Sequence, residues 1–305
     1  MNMERPKIEL YQMRSFSDKL SAVFAFFGEN WKVLLKYLTY FLLPLSLVTS
    51  VAQAGYFDSM MTMAAKGEQN GPLGMLVGSM GAMIVLYSIG SLLLMSIVYS
   101  LMRLYREREN RLAGLSWDEM KPVLMHVLWR CIKLALCGIL ISLIIGAIMI
   151  GVATIHPALI FIVILAFIPF GIPLALIYPI YFFEDDITIP ATFAKAFHLG
   201  FPTWGGIFGV LLVLGFMGSF IAGMISLTWT IMNTAKLILS ANDDGGFVNS
   251  VGYSFIIYLF GVIQAFANFF AYSLPFIGLA YQYGHACEKV DHVTVESDID
   301  RFEQL

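Results

Sequence analysis

The stretch ALIFIVILAFIPFGIPLALIYPIYFF, residues 158–183, decides the fold of this chain. It contains no Asp, Glu, Lys or Arg, and as an α-helix it is long enough to cross about 30 Å of hydrocarbon. Five more apolar windows, each long enough to cross the hydrocarbon and free of Asp and Glu, occur near residues 33–54, 75–102, 132–154, 205–231 and 251–283. We therefore predict an all-α, polytopic transmembrane bundle of six spans, which forms a single integral membrane domain over residues 1–305.

The composition and the placement of acidic residues support this prediction. Hydrophobic residues make up 59% of the chain and charged residues only 13%, whereas a soluble domain carries roughly 25% charged residues. None of the 21 Asp and Glu residues falls inside the six windows. A charge at the centre of a membrane helix costs about 2.5–3.5 kcal/mol, so this distribution is typical of segments selected for insertion into hydrocarbon.

The basic residues predict the orientation of the spans. Sixteen of the 18 Lys and Arg residues lie in segments that a six-span topology places on one side, and only Lys66 and Lys236 lie on the other. Basic residues concentrate on the cytoplasmic side of membrane proteins. We therefore expect both termini to be cytoplasmic and the first window to be a retained span, since it is longer than the apolar region of a signal peptide.

The three segments that precede spans one, three and five resemble one another. Each begins with a helix-capping Ser or Thr that is followed by an acid or a proline, at Ser15, Ser116 and Thr188. Each ends at a tryptophan suited to anchoring at the membrane interface, namely Trp31, Trp129 and Trp204. This pattern predicts three pseudo-repeated units, each made of an interfacial helix and a transmembrane hairpin.

One part of the chain resembles a known group of proteins. The run Tyr178-Pro-Ile-Tyr-Phe-Phe-Glu184 is followed by Ala191-Thr-Phe-Ala-Lys-Ala-Phe-His-Leu-Gly200 and then by Trp204-Gly-Gly-Ile-Phe208. This order resembles stand-alone bacterial six-span membrane proteins of unknown function, which are similar to the membrane domain attached to some glycerophosphodiester phosphodiesterases. The resemblance implies a bacterial inner membrane. It implies no phosphodiesterase activity, since the catalytic barrel is absent from the chain.

The densest acidic cluster, Glu184-Asp185-Asp186, stands at the inner end of span four. It is either a cation site, a docking point for the basic segment Arg103–Arg111, or a solvated anchor that ends the helix. Span four also carries Pro169 and Pro173, and helices broken in this way free carbonyl groups that can coordinate an ion. Proline kinks are equally ordinary in packed membrane helices, so both interpretations stay open.

Amide side chains and small residues predict contacts between helices. Gln264 and Asn268 are four residues apart on one face of span six, where they would hydrogen-bond to a neighbouring helix or line a polar cavity. Stripes of small residues allow helices to approach closely in lipid. Small residues recur at every fourth position in three such stripes, Gly74/Gly78/Ala82, Gly138/Ser142/Gly146 and Gly218/Ala222/Ser226.

The sequence carries no motif for catalysis, nucleotide binding or metal binding. His285, Glu288 and His292 would share one face of an extended last helix, but Lys289 is adjacent and no fourth ligand is evident, which favours a polar tail. We expect no cofactor, no metal and no nucleic-acid partner. The function that we expect is non-catalytic binding of membrane lipids or of another membrane protein, and the alternative is a small-solute transporter or channel without a proton-coupling carboxylate.

Overall fold

The chain folds into eight α-helices in a computed structural model that describes residues 6–66, 70–156, 158–241 and 246–294. These residues contain no β-strand. The helices are α1 (Phe16–Lys66), α2 (Asn70–Glu107), α3 (Trp117–Ile155), α4 (Leu159–Leu174), α5 (Ile177–Phe183), α6 (Ile189–Gly200), α7 (Trp204–Ala241) and α8 (Val251–Val290).

Six helical segments of the described chain are long and apolar enough to cross a membrane. They confirm the predicted all-α, multi-pass architecture, and each of them covers most or all of one predicted window. The fourth span, Leu159–Phe183, is divided, because α4 ends at Leu174 and α5 begins at Ile177. Two prolines inside α4, Pro169 and Pro173, remove amide donors from the helical ladder just before this break.

The predicted capping residues begin their helices. The hydroxyl of Ser15 accepts a hydrogen bond from the amide of Asp18 at 3.2 Å. Ser116 and Glu119 form a reciprocal capping box at the start of α3, and the side chain of Thr188 accepts from the amide of Ala191 at the start of α6. These oxygens satisfy amide groups that have no partner within the first helical turn.

The threefold repeat is not confirmed in the form that the sequence predicted. Only the third unit has a separate interfacial helix, α6, which ends at Gly200 before α7 begins at Trp204. In the first two units the capped segment and the span form one continuous helix, α1 and α3 respectively. The chain between Gly200 and Trp204 contains Pro202, whereas no proline interrupts residues 16–31 of α1. α3 stays continuous although Pro122 lies within it.

The chain forms two compact units. Unit 1 comprises Met1–Trp31, Met95–Gly215 and Leu274–Leu305. Aromatic side chains make up much of its core, where Phe26 lies edge-on to Tyr105 with ring centroids 5.1 Å apart. Tyr99 packs against Phe182 and Phe183 at centroid distances of 5.3 and 5.7 Å.

Unit 2 comprises Lys32–Leu94 and Phe216–Ser273, which are segments of α1, α2, α7 and α8. Its helices approach closely at glycines. A Cβ on Gly218 would lie 3.1 Å from the carbonyl oxygen of Ala271, and a Cβ on Gly261 would lie 2.3 Å from the hydroxyl of Ser50. The stripe that begins at Gly218 therefore marks a helix contact, as the sequence predicted.

The other two predicted stripes meet no partner at their glycines. A Cβ on Gly74, Gly78, Gly138 or Gly146 would have no heavy atom within 4 Å. The buried residues of α3 all lie in its first half, from Met120 to Leu134, and most of the second half is exposed and apolar. The prediction that these glycines mark helix contacts is therefore wrong within the described chain, and the exposed apolar surface suits contact with lipid.

The end of α6 packs directly on α4, and this contact generates a stability prediction. A Cβ on Gly200 would lie 2.5 Å from Cβ and 2.7 Å from Cα of Pro173, so the neighbour is rigid. We expect Gly200→Ala to destabilise the purified protein by about 1–3 kcal/mol, because overpacking displaces backbone. Thermal unfolding in detergent measures the loss.

The matched control for this prediction is Gly138→Ala in α3, where the new Cβ would meet open space. Alanine exceeds glycine in helix propensity by about 1 kcal/mol, so this variant should be neutral or slightly stabilised. Equal stability of the two variants would contradict the contact between Gly200 and Pro173.

Candidate functional site

The predicted acidic cluster directly follows α5, and its main chain is held by Arg130 of α3. The guanidinium of Arg130 donates hydrogen bonds to the carbonyl oxygens of Tyr181 (2.8 Å), Glu184 (2.7 Å) and Asp185 (2.6 Å). It also lies 4.0 Å from the centroid of the Tyr181 ring. The last carbonyls of a helix have no partner within the helix, so this buried cation ends α5.

The side chains of the cluster are paired with cations of the same chain. Asp185 accepts two hydrogen bonds from the guanidinium of Arg103, one of them at 2.7 Å, and lies 3.0 Å from Nε2 of His126. The hydrogen bonds from Arg103 lower the pKa of the Asp185 carboxyl to about 2. Glu184 lies 2.9 Å from the ammonium of Lys195 and accepts a hydrogen bond from the hydroxyl of Tyr283.

These contacts join the acidic cluster to the basic segment that follows span two. Arg103, the first residue of that segment, reaches Asp185, and Arg111, the last, lies 2.7 Å from Glu29 of α1. Asp186 is exposed beside them. The oxygens of Glu184 and Asp185 are thus engaged by side chains of unit 1, and the arrangement is an ion-pair network within the protein.

The two predicted amide residues lie in the segment of α8 that belongs to unit 2. Asn268 donates to the main-chain carbonyl of Gln264 at 2.8 Å, so its bond stays within its own helix, whereas the sequence favoured a bond to a neighbouring helix. Oε1 of Gln264 is buried and has no hydrogen-bond partner among the described residues. The pair therefore leaves one polar atom of unit 2 unsatisfied.

The three predicted tryptophan anchors have different surroundings. Trp31 and Trp129 are 44% and 58% exposed, and the ammonium of Lys133 lies 5.7 Å from the centroid of the Trp129 ring. These exposed indoles suit a position at the membrane interface. Trp204 instead donates a hydrogen bond from its indole N–H to the carbonyl oxygen of Pro169 at 3.0 Å.

The bond from Trp204 explains how the chain tolerates the proline pair in span four. In an uninterrupted helix the carbonyl of Pro169 would accept from the amide of residue 173, but Pro173 has no N–H. The indole of Trp204 supplies the missing donor. The sequence suggested that carbonyls freed near Pro169–Pro173 coordinate an ion, and at Pro169 a protein donor takes that place.

We predict that Trp204→Phe destabilises the purified protein by about 1–3 kcal/mol, because it leaves the Pro169 carbonyl without a donor. In a Pro173→Ala background the same substitution should cost much less, since residue 173 then carries an amide that can bond to Pro169 within α4. Chemical unfolding of the four proteins of this cycle gives the coupling energy.

The control for this cycle is Trp129→Phe, which removes an indole N–H from a side chain that is 58% exposed. It should change stability little in either background. If Trp204→Phe costs the same with and without Pro173, the Pro169 carbonyl does not depend on the indole.

Unit 1 also contains a basic cluster that no sequence motif indicated. Lys19 of α1 is only 4% exposed, and Gln282 of α8 is fully buried. Both approach Gly206 of α7: a Cβ at this position would lie 3.2 Å from Nζ of Lys19 and 3.0 Å from both Nε2 and Oε1 of Gln282. Neither polar atom of the Gln282 side chain has a hydrogen-bond partner among the described residues.

Other polar groups surround this pair. The guanidinium of Arg14 is buried, donates to the carbonyl oxygens of Glu9 and Leu10, and lies 5.3 Å from the centroid of the Tyr281 ring. Burial lowers the pKa of Arg14 from its usual value. Nδ1 of His285 accepts from the amide of Arg14 at 3.1 Å, so a neutral His285 carries its proton on Nε2.

The sequence did contain a signal for the burial of Lys19. Residues 19, 23, 26 and 30 follow the spacing of one helical face, and Val23, Phe26 and Asn30 are buried beside Lys19. A lysine in register with this apolar stripe indicates a buried ammonium. The convergence of α7 and α8 on the same point carries no comparable signal, since Gly206 and Gln282 are far from Lys19 in sequence.

Comparisons with known proteins add no assignment to this geometry. No protein-family model, no curated protein and no solved structure matches the chain.

Proposed function

We propose that this chain is a non-catalytic protein of a bacterial inner membrane that binds membrane lipids or another membrane protein. Six apolar spans make it a multi-pass membrane protein. The bacterial location rests on the sequence resemblance, and the cytoplasmic placement of both termini rests on the asymmetry of Lys and Arg. In this orientation the ion-pair network of unit 1 lies at the cytoplasmic surface.

The observation that carries the proposal is the fixed arrangement of charges in unit 1. Arg103, Arg111 and Lys195 are each paired with a carboxylate, and Arg130 is bonded to three carbonyl oxygens. Charged groups held in this way form a rigid folded layer at the level of lipid headgroups. Such a layer supports a binding role, because little side-chain entropy remains to be lost when a headgroup or a partner docks.

A small-solute carrier or channel is the second candidate. The buried and unpartnered Oε1 of Gln264 favours it, because an unsatisfied acceptor at membrane depth can contact a passing solute. The Pro169 carbonyl gives it less support, since the indole of Trp204 already occupies that acceptor. We rank this function below the binding role.

The proposed orientation predicts the behaviour of reporter fusions. Fusions after Asn110, Asp186 and Leu305 should report the cytoplasm, and fusions after Gly67 and within Asp243–Gly246 should report the opposite side. An alkaline phosphatase and green fluorescent protein pair measures both outcomes in the same cells. External behaviour of the Asp186 fusion would contradict the six-span topology.

The binding role predicts that the protein copurifies with a selected lipid or a partner protein from native membranes. Mass spectrometry of the purified material identifies what is bound, and a solubilised membrane extract without the protein is the control. The proposal fails if the protein is purified bare and catalyses saturable solute flux in liposomes. Loss of that flux in Gln264→Ala or Asn268→Ala would then place the solute path along α8.

A further inference from the structure

The starting observation is a short segment that precedes α1 and lies across two other helices. Residues 7–14, which we call the strap, form no helix. The ammonium of Lys7 donates to the carbonyl oxygen of Arg108 at 3.2 Å, directly after the end of α2. At the other end of the strap, the amide of Arg14 donates to Nδ1 of His285 in α8 at 3.1 Å. The strap therefore joins the ends of α2 and α8 within unit 1.

The surface under the strap is lined by tyrosines. The hydroxyl of Tyr105 in α2 accepts a hydrogen bond from the amide of Ile8 at 3.2 Å. The ring of Tyr283 in α8 lies edge-on to that of Tyr11, with centroids 6.0 Å apart. Tyr105 and Tyr283 are 3% and 1% exposed. The strap thus helps to cover two aromatic side chains whose polar tips can take part in hydrogen bonds.

A glycine in α8 lets the main chain of the strap come close to the helix. A Cβ on Gly284 would overlap the carbonyl oxygen of Leu10 and would lie 3.3 Å from its Cγ. Leu10 is 7% exposed, so its side chain is packed against this part of unit 1. Together with Tyr105 and His285, which each accept a main-chain amide of the strap, Gly284 forms a groove that is fitted to an irregular segment of chain.

Few buried side chains hold the strap in this groove. Of its eight residues only Leu10 and Arg14 are buried. The guanidinium of Arg14 donates to the carbonyl oxygens of Glu9 and Leu10, so these hydrogen bonds stay inside the strap. Ordering a segment costs conformational entropy at every residue. Segments with few buried apolar contacts open locally while the rest of the protein stays folded.

We propose that the strap is a releasable cover, and that the groove beneath it binds a short irregular segment of a partner protein when the strap leaves. The bound strap shows the chemistry that such a segment needs, namely two main-chain amides, a main-chain carbonyl at Gly284 and one apolar side chain at the place of Leu10. Tyrosine is enriched at protein interfaces, which favours a protein over a lipid. The inference rests on the proposed binding function and selects the class of its partner.

The first experiment measures release of the strap in the full-length protein, by limited trypsin digestion in detergent. Cleavage after Arg14, which is 9% exposed, requires the strap to leave the groove. We expect slow cleavage in the wild type while the spans remain intact. Gly284→Ala should accelerate it by about tenfold or more, because the new Cβ displaces the strap and proteolysis follows the population of the open form.

The matched control is Gly28→Ala in α1, where a Cβ would meet no heavy atom within 4 Å. This variant should be cleaved at the wild-type rate. If the wild type is cut after Arg14 only when the whole protein is degraded, or if Gly284→Ala is cut no faster than Gly28→Ala, the strap is not a releasable cover.

The second experiment tests the groove with a synthetic, fluorescent peptide of residues 6–15, whose binding is followed by polarisation. A short tether gives an effective concentration of about 1 mM, so free peptide near this concentration should fill a groove whose own strap is detached. Leu10→Asp should bind the peptide, because it detaches the strap and leaves the groove unchanged. Met13→Asp makes the same kind of change at a strap residue that is 59% exposed, and it should bind as little peptide as the wild type.

Gly284→Ala separates the groove from the strap in this experiment, since it detaches the strap and also spoils the groove. It should bind no peptide. Failure of Leu10→Asp to bind, or equal binding by Leu10→Asp and Gly284→Ala, overturns the inference. Displacement of the peptide by phosphatidylglycerol but not by phosphatidylcholine would show that the groove takes lipid headgroups, and it would overturn the choice of a protein. Neither experiment depends on copurified material, so these results leave the test of the proposed function independent.

Discussion

The requirement that every polar main-chain group find a partner inside the protein governs this structure. Within a bilayer no water is present to bond to a free carbonyl, so each interruption of a helix needs a donor from a side chain. Trp204 supplies that donor for Pro169, and Arg130 supplies it for three carbonyls at the end of α5. In unit 2 the hydroxyl of Ser50 bonds to the carbonyl of Tyr258 at 3.0 Å. Of these donors, the indole of Trp204 acts beside the division of span four.

Hydropathy and capping predicted the elements because both depend on residues close together in sequence. The six spans, the caps at Ser15, Ser116 and Thr188, and the irregularity caused by Pro169 and Pro173 could all be anticipated. The continuity of α1 and α3 could not be anticipated. Whether the capped segment forms a helix separate from its span depends on tertiary packing rather than on the cap. The glycine stripes show the same limit. A small residue permits close approach, and Gly218 has a neighbour to approach whereas Gly138 has none.

The candidate site was harder to predict because several of its contacts are made to main-chain carbonyl oxygens, which every residue has. The sequence pattern predicted that Glu184 and Asp185 stand at the end of a helix, but Arg130 binds their carbonyl oxygens, which any residue would provide. Trp204 was expected to lie at the membrane interface, and the structure adds that its indole bonds to a main-chain carbonyl. The burial of Lys19 was readable from its register with Val23 and Phe26. Its proximity to Gln282 could be seen only in the folded structure.

The positions of Lys19 and Gln282 along the chain also set an order of assembly. Arg130 lies in α3, and the carbonyls that it binds lie in α5 and directly after it. That contact can therefore form while later helices are still being synthesised. The basic cluster joins the first helix to the last, and it is incomplete until α8 has been inserted. During biogenesis Lys19 is therefore held by an unfinished protein, in which water or headgroups still solvate it. Enclosure of this lysine is a late event that distinguishes a fully translated molecule from a truncated one.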